Sequence, residues 1–386
     1  MDRFRDELKD FFKIEHCFLV SSGKAALTIT LSALRDLHPH RDEVLIPAFT
    51  CYSVPSAITR AGLTVRLCDI DPDTMDFDYD SLAEMLSNQT ENSNTQCSKA
   101  GSRLLAVVPT HLFGLPANVP KLRKLIRDPG VIIIEDAAQA MGGSLKGRKM
   151  GTLGDVSFFS LGRGKSLSTA GGGVILTERD DIAAKIKERV QALGPDGVFN
   201  SIALVLNAAI LALFTNPYLF WLPKSLKFLR LGETIFDPHF RIKRISCFQA
   251  GLARGWHKKL VEFSANRAQN SNYWHSVLRT DAFKLYSLDS GNPAGPIRFP
   301  LRVNDSDLRA RILKASVEMG LGIMQSYPDS IDAIQELEPI LRKGEFPKAG
   351  QLARSMITLP VHPFVTQKDR ERILSCMASF PAQMAR

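Results

Sequence analysis

Lys165 lies in FFSLGRGKSLSTAGGG (158–173), on a glycine-rich turn that follows the apolar run 156–159. Glycine permits positive φ and close approach of a ligand to main chain, so a flat, bulky group could lie against this turn. A lysine there has three readings: an imine-forming amine, a phosphate ligand or a solvated charge. Asp136 is the second candidate, ending the run VIIIED (131–136). A carboxylate among apolar neighbours is costly unless something pairs with it. It would either cap a helix starting near Ala137 or sit beside a cationic ring nitrogen and keep it protonated. A Schiff-base lysine with a carboxylate partner for a pyridinium nitrogen is the pair that pyridoxal phosphate chemistry requires.

The elements that must position these residues read as follows. Apolar strands at 43–48, 64–70, 104–108 and 131–135 alternate with helical stretches, one of them at 119–128, which predicts βαβ units and a mostly parallel, doubly wound α/β sheet. Ligands bind beyond the carboxyl ends of such strands, placing His111, Asp136 and Lys165 along one edge. SSGKAAL (21–27) reads as a helix start that would hold an anion on its free N–H groups or be capped by Ser21 or Ser22. Residues 3–13 read as a short amphipathic helix and 87–102 as an exposed loop. A helical stretch from 247 carries Arg267 on its polar side, and short strands at 296–303 and 324–327 belong to a smaller C-terminal α/β domain. The division is thus 1–246 for the large domain and 247–386 for the small one.

With 386 residues, the chain is long enough for two such domains. Its formal net charge of +9 favours anionic partners such as phosphorylated substrates, nucleotides or an anionic membrane surface. Nucleic acid is disfavoured, because the basic residues are scattered and no recognition motif appears. The six cysteines show no ligand-like spacing, which predicts reduced thiols and no metal. The charged N-terminus does not read as a secretory signal, so the expected location is cytoplasmic.

Taken together, these blocks resemble the DegT/DnrJ/EryC1/StrS sugar aminotransferases, fold-type I pyridoxal-phosphate enzymes. SSGKAAL is similar to the family's phosphate-side turn. The stretches 44–74, VVPTHLFGLPANV (107–119), IIIEDAAQAMGG (132–143) and 158–173 follow in family order, and SYPDS (326–330) and ITLPVHP (357–363) resemble its small-domain elements. The resemblance implies that Lys165 forms the Schiff base and moves protons, and that Asp136 pairs with the pyridine nitrogen. Gln139 would lie near the ring's phenolic oxygen, and Ser160 with the backbone at Gly23 and Lys24 would bind phosphate. Cys51 stands where a ring-covering aromatic is common, and His111, Tyr327 and His362 would face substrate. The implied reaction moves an amino group, from L-glutamate, to a keto group of a nucleotide-linked sugar in a homodimer. Lysine at 165, rather than histidine, favours transamination over dehydration. Departures from the pattern are Lys24 for threonine, Gly171 for glutamate and Ile242 for asparagine. They keep open a cofactor-binding protein without transaminase activity.

The stretch SIALVLNAAILALF (201–214), followed by aromatic Tyr218, Phe220 and Trp221 and basic Lys224, Lys227 and Arg230, is longer than the family needs. Fourteen helical residues reach ~21 Å, short of a ~30 Å hydrocarbon core, and Pro217 breaks continuation. It reads either as an interface helix or as an in-plane membrane contact through 201–230 at the inner face. The second reading would suit transamination of a lipid-linked ketone.

Overall fold

The computed structural model describes residues 1–91, 103–194, 204–206, 208–210, 234–278, 280–286, 292, 294–341 and 344–379. Helix α1 (Asp2–Phe12) precedes strand β1 (His16–Val20), helix α2 (Gly23–Leu37), β2 (Glu43–Pro47), α3 (Ser53–Arg60), β3 (Thr64–Cys68) and α4 (Tyr79–Glu91). Then follow β4 (Leu104–Val107), α5 (Val119–Leu125), β5 (Ile132–Asp136) and the small hairpin β6 (Ser144–Leu145) and β7 (Arg148–Lys149). Strands β8 (Val156–Ser160) and β9 (Gly173–Thr177) and helix α6 (Asp180–Ala192) complete the first layer system.

The seven-stranded sheet has the order β1-β9-β8-β5-β4-β2-β3. Its strands β3, β2, β4, β5 and β8 pair in parallel, while β9 runs antiparallel to both β8 and β1. Strands β2, β5 and β9 are buried along their whole length, as apolar runs covered on both faces require. The expected mostly parallel α/β fold is therefore present. Because the parallel strands share one direction, the ends of β5 and β8 deliver Asp136 and Ser160 to the same edge. The antiparallel β9 starts there, at Gly173.

Beyond 246 come α7 (Cys247–Leu252), α8 (Trp256–Val277), β10 (Phe283–Leu285), β11 (Phe299–Val303), α9 (Ser306–Met319), α10 (Pro347–Ser355), β12 (Met356–Leu359) and α11 (Gln367–Ala378). The three strands form an antiparallel sheet in the order β10-β11-β12. Of the expected strand at 324–327, the structure keeps one bridge, Met324 to Thr358. Helix α4 persists through Glu91, into the stretch read as loop from 87 on, and 92–102 lies outside the described residues.

Helix α8 is shared between two cores. Its start, Trp256 and Leu260, packs with Phe4, Leu8 and Phe12 of α1, whereas Trp274 belongs with Phe299, Leu301 and Ile357 of the small sheet. Arg267, expected on the polar side, is 4% exposed. It is held inside by Ser166 O at 3.3 Å and Ser264 Oγ at 3.1 Å. Hydrophobic periodicity misplaces such a residue, because a guanidinium satisfied by backbone oxygen can face inward.

Candidate active site

Helix α2 begins at the end of β1. Ser22 caps it in extended conformation, its side chain accepting from Ala25 N–H at 3.1 Å. The N–H groups of Gly23 and Lys24 have no hydrogen-bond partner among the described residues, which leaves the positive end of a 15-residue helix open to an anion. The floor of that opening is tight. A Cβ on Gly23 would lie 2.8 Å from Ser160 Cβ, and one on Gly173 would lie 2.2 Å from Ser22 O. Glycine is required at both, because backbone and Ser160 close the space.

Asp136 is 4% exposed and accepts from Ala138 N–H at 3.0 Å. Burial raises its carboxyl above the ordinary range; the Ala138 N–H, the charge of Lys165, His111 and the Thr110 hydroxyl pull the other way. Lys165 is half-buried on its turn, and among the described residues its amine makes no hydrogen bond or ion pair beyond that attraction. Gly171 and Gly172, at φ 146° and 131°, carry the chain back from the turn into β9. A side chain at Gly171 would meet the Gln249 amide nitrogen at 2.9 Å. Gln249 thus fills the space next to the position where glutamate is common.

Gln139 is buried and doubly engaged. Its Oε1 accepts from Phe113 N–H at 3.0 Å, and its Nε2 donates to the Tyr327 hydroxyl at 2.9 Å. Tyr327 therefore joins the site from the C-terminal half, its ring stacked 6.4 Å from Phe113 and edge-on to Phe49. Burial raises its hydroxyl well above its usual value, the Cys51 and Asp136 charges adding to the rise. Cys51, half-buried, packs against the same core.

Two expectations change. His111 has no nitrogen to offer a substrate: its ring is fully buried, Nδ1 accepts from Ala117 N–H at 2.9 Å, and Nε2 donates to Glu135 at 2.7 Å. It is part of the frame. The Lys24 ammonium is turned to Asp237 at 3.3 Å and lies 4.4 Å over the Phe240 ring, so only its backbone serves the helix opening. His362 lies on the small domain, its ring 6.1 Å from that of Phe364.

Glu135 escaped the sequence reading. Its carboxylate accepts from His111, Gly151, Leu153 and Gly154. Burial would raise it, but the His111 hydrogen bond and charge and the N–H groups of Gly151 and Leu153 hold it below its ordinary value. A second acid in an otherwise apolar strand was the available signal.

The family model of the DegT/DnrJ/EryC1/StrS aminotransferases matches residues 1–203. The chain belongs to this family. A GDP-perosamine synthase from Vibrio cholerae is 30% identical over 185 residues, covering 48% of this chain and 46% of that protein. The match thus spans about half the length of such relatives. A pleiotropic regulatory protein from Geobacillus stearothermophilus is 26% identical across 97% of this chain and 87% of its own. The crystal structure of a DegT DnrJ EryC1 StrS aminotransferase from Brucella abortus superposes with a TM-score of 0.75 at 20% identity, covering 99% of this chain and 90% of that one. The fold is accordingly that of this family's members.

Proposed function

We propose that the chain is a pyridoxal-phosphate-dependent aminotransferase that moves an amino group, from L-glutamate, to a keto group of a nucleotide-linked sugar. The observation that carries this reading is Lys165, whose amine makes no hydrogen bond among the described residues and whose charge acts on the buried Asp136. The residues present fit the cofactor. A ring nitrogen would give Asp136 the partner its burial calls for, the open N–H groups of Gly23 and Lys24 with Ser160 suit a phosphate, and the Lys165 amine suits an aldehyde. The bound cofactor supplies an electron sink. Asp136 would hold a proton at the ring nitrogen, Lys165 would carry protons to and from the reacting carbon, and Gln139 would fix Tyr327 over the site.

The test is absorbance. Pyridoxal phosphate added to the protein should give a visible band that L-glutamate bleaches and that Lys165→Ala lacks. A band that persists with every amino donor would favour a binding protein without transaminase activity. A homodimer is part of the proposal, checked by light scattering on the eluted protein.

A second reading, contact with the inner membrane face through 201–230, is favoured by Val205, Leu206 and Ile210, which are 43%, 57% and 50% exposed on helical residues. Among the described residues no helix is long and apolar enough to cross a membrane. The aromatic and basic residues of 211–230 lie outside the described residues. Anionic liposomes should sediment the protein and not a 200–231 deletion; equal recovery in the supernatant rejects the contact and, with it, the case for a lipid-linked ketone.

A further inference from the structure

Gln249, on α7, is a buried amide with part of its hydrogen-bonding capacity unspent. It is 3% exposed, and its own helix sets its orientation. Ser246 caps α7 by accepting from Gln249 N–H at 3.1 Å, and Gln249 Oε1 accepts from Ser246 N–H at 3.0 Å. An N–H must face an oxygen, so this second bond fixes which end of the carboxamide is which. Nε2 is turned the other way, and its two N–H donors have no hydrogen-bond partner among the described residues.

The glycine run places this amide. Residues 171–173 pass alongside the turn into α2: Ser22 and Gly172 form a parallel bridge, and a Cβ on Gly173 would stand 3.0 Å from Gly23 N. A Cβ on Gly171 would stand 3.7 Å from Ser21 O and 2.9 Å from Gln249 Nε2. With no side chain at 171, a gap is left between the amide and that turn. The segment leading to α7 is tied to the same turn. Ser21 N–H donates to Lys243 O at 2.9 Å, and Lys243 N–H donates to Ser21 Oγ at 3.1 Å.

A phosphate group presents three strong acceptor oxygens, and the start of α2 answers them sparsely. Gly23 and Lys24 supply backbone N–H groups, and Ser160 supplies a hydroxyl that already accepts from Gly162 N–H at 3.3 Å. The Lys24 ammonium is spent on Asp237. Ile242, in place of asparagine, is an apolar side chain packed against the large core. A buried amide without an acceptor is costly, and an anion placed next to it relieves that cost.

We propose that Gln249 Nε2 donates a hydrogen bond to the phosphate received at the start of α2, across the gap at Gly171. The inference rests on the aminotransferase reading and adds a binding residue to its cofactor site. Glycine at 171 then has a consequence: no side chain stands between amide and phosphate.

Gln249→Glu isolates the donor. It keeps the length and the oxygen that faces Ser246 N–H, since Ser-x-x-Glu forms the same capping box, and replaces only the NH2. The probes, on the full chain, are pyridoxal phosphate and pyridoxal, followed by their visible bands, and inorganic phosphate, followed by calorimetry. Pyridoxal phosphate and inorganic phosphate should bind roughly 100-fold more weakly to Gln249→Glu. Pyridoxal, which has no phosphate, should bind as it does to wild type. Gln249→Met removes the donor without adding charge and should lose roughly tenfold on the same two probes. It decides alone where circular dichroism shows Gln249→Glu unfolded. Undiminished phosphate binding in a folded variant overturns the proposal, and so does an equal loss of pyridoxal, which marks the amide as structural only. Failure of the aminotransferase reading shows separately, as a pyridoxal phosphate band that is absent or that L-glutamate does not bleach.

Discussion

His111 and Glu135 form a fully buried pair, Nε2 to Oε1 at 2.7 Å, and Glu135 immediately precedes Asp136 on β5. Because Nδ1 of the same ring accepts from Ala117 N–H, the N–H that faces Glu135 is at Nε2. Adjacent acids in one strand thus have opposite surroundings: Glu135 is filled with donors, and Asp136 is left short of them.

Replacing Glu135 by Gln turns an acceptor into a group that must place an NH2 against backbone N–H groups. The expected cost is about 3 kcal/mol or more, read as a lowered denaturation midpoint. The pH dependence follows from the depressed native value. The stabilisation is complete above the ordinary 4.5 and is lost as pH falls through the lower native value. Wild type should therefore lose stability in acid over that window more steeply than the variant does.

Asp136→Asn should behave in the opposite sense. Burial raises Asp136, so its ionised form costs stability in the cofactor-free protein at neutral pH. The amide can keep the Ala138 contact without charge. Thermal denaturation of the cofactor-free variant should match or exceed wild type by about 1 kcal/mol, while transamination falls roughly 100-fold or more. A variant both unstable and active contradicts the assignment.

Gly23→Ala places a methyl 2.8 Å from Ser160 Cβ. It should push the α2 start off the β8 end and weaken pyridoxal phosphate binding about tenfold or more, measured by quenching of protein fluorescence. Gly173→Ala, aimed at Ser22 O at 2.2 Å, should reduce the yield of folded protein.

Lys24→Ala tests the reassignment of that ammonium. The Lys24–Asp237 pair is partly exposed on both sides, so its loss should cost under ~1 kcal/mol. Cofactor affinity should change by less than about threefold. A large loss of affinity would return Lys24 to the phosphate.

The sheet and its active edge were legible because buried parallel strands leave long apolar runs, each broken where a polar residue emerges: Asp136, Ser160 and the turn before Lys165. Pattern and order of motifs carried Lys165, Asp136, Ser160, Gly23 and Tyr327 to one place. The roles of Lys24, His111 and Arg267 were not legible, since each depends on a partner distant in sequence: Asp237, Glu135 and Ser166. A single chain of residue types says that a cation is present, not whether something already holds it.

Helix α8 gives the molecule a particular mechanical character. Its 22 residues form a rod of ~33 Å, seated at one end by Glu7, which accepts from Trp256 Nε1, and at the other by Pro360 O, which accepts from Trp274 Nε1. The lysine turn leans on its middle through Ser166. A cut at residue 246 would therefore strip the N-terminal helix of its seat and leave the C-terminal piece with a bare tryptophan end. Neither fragment carries a finished surface, and heat should melt the two sheets in a single step.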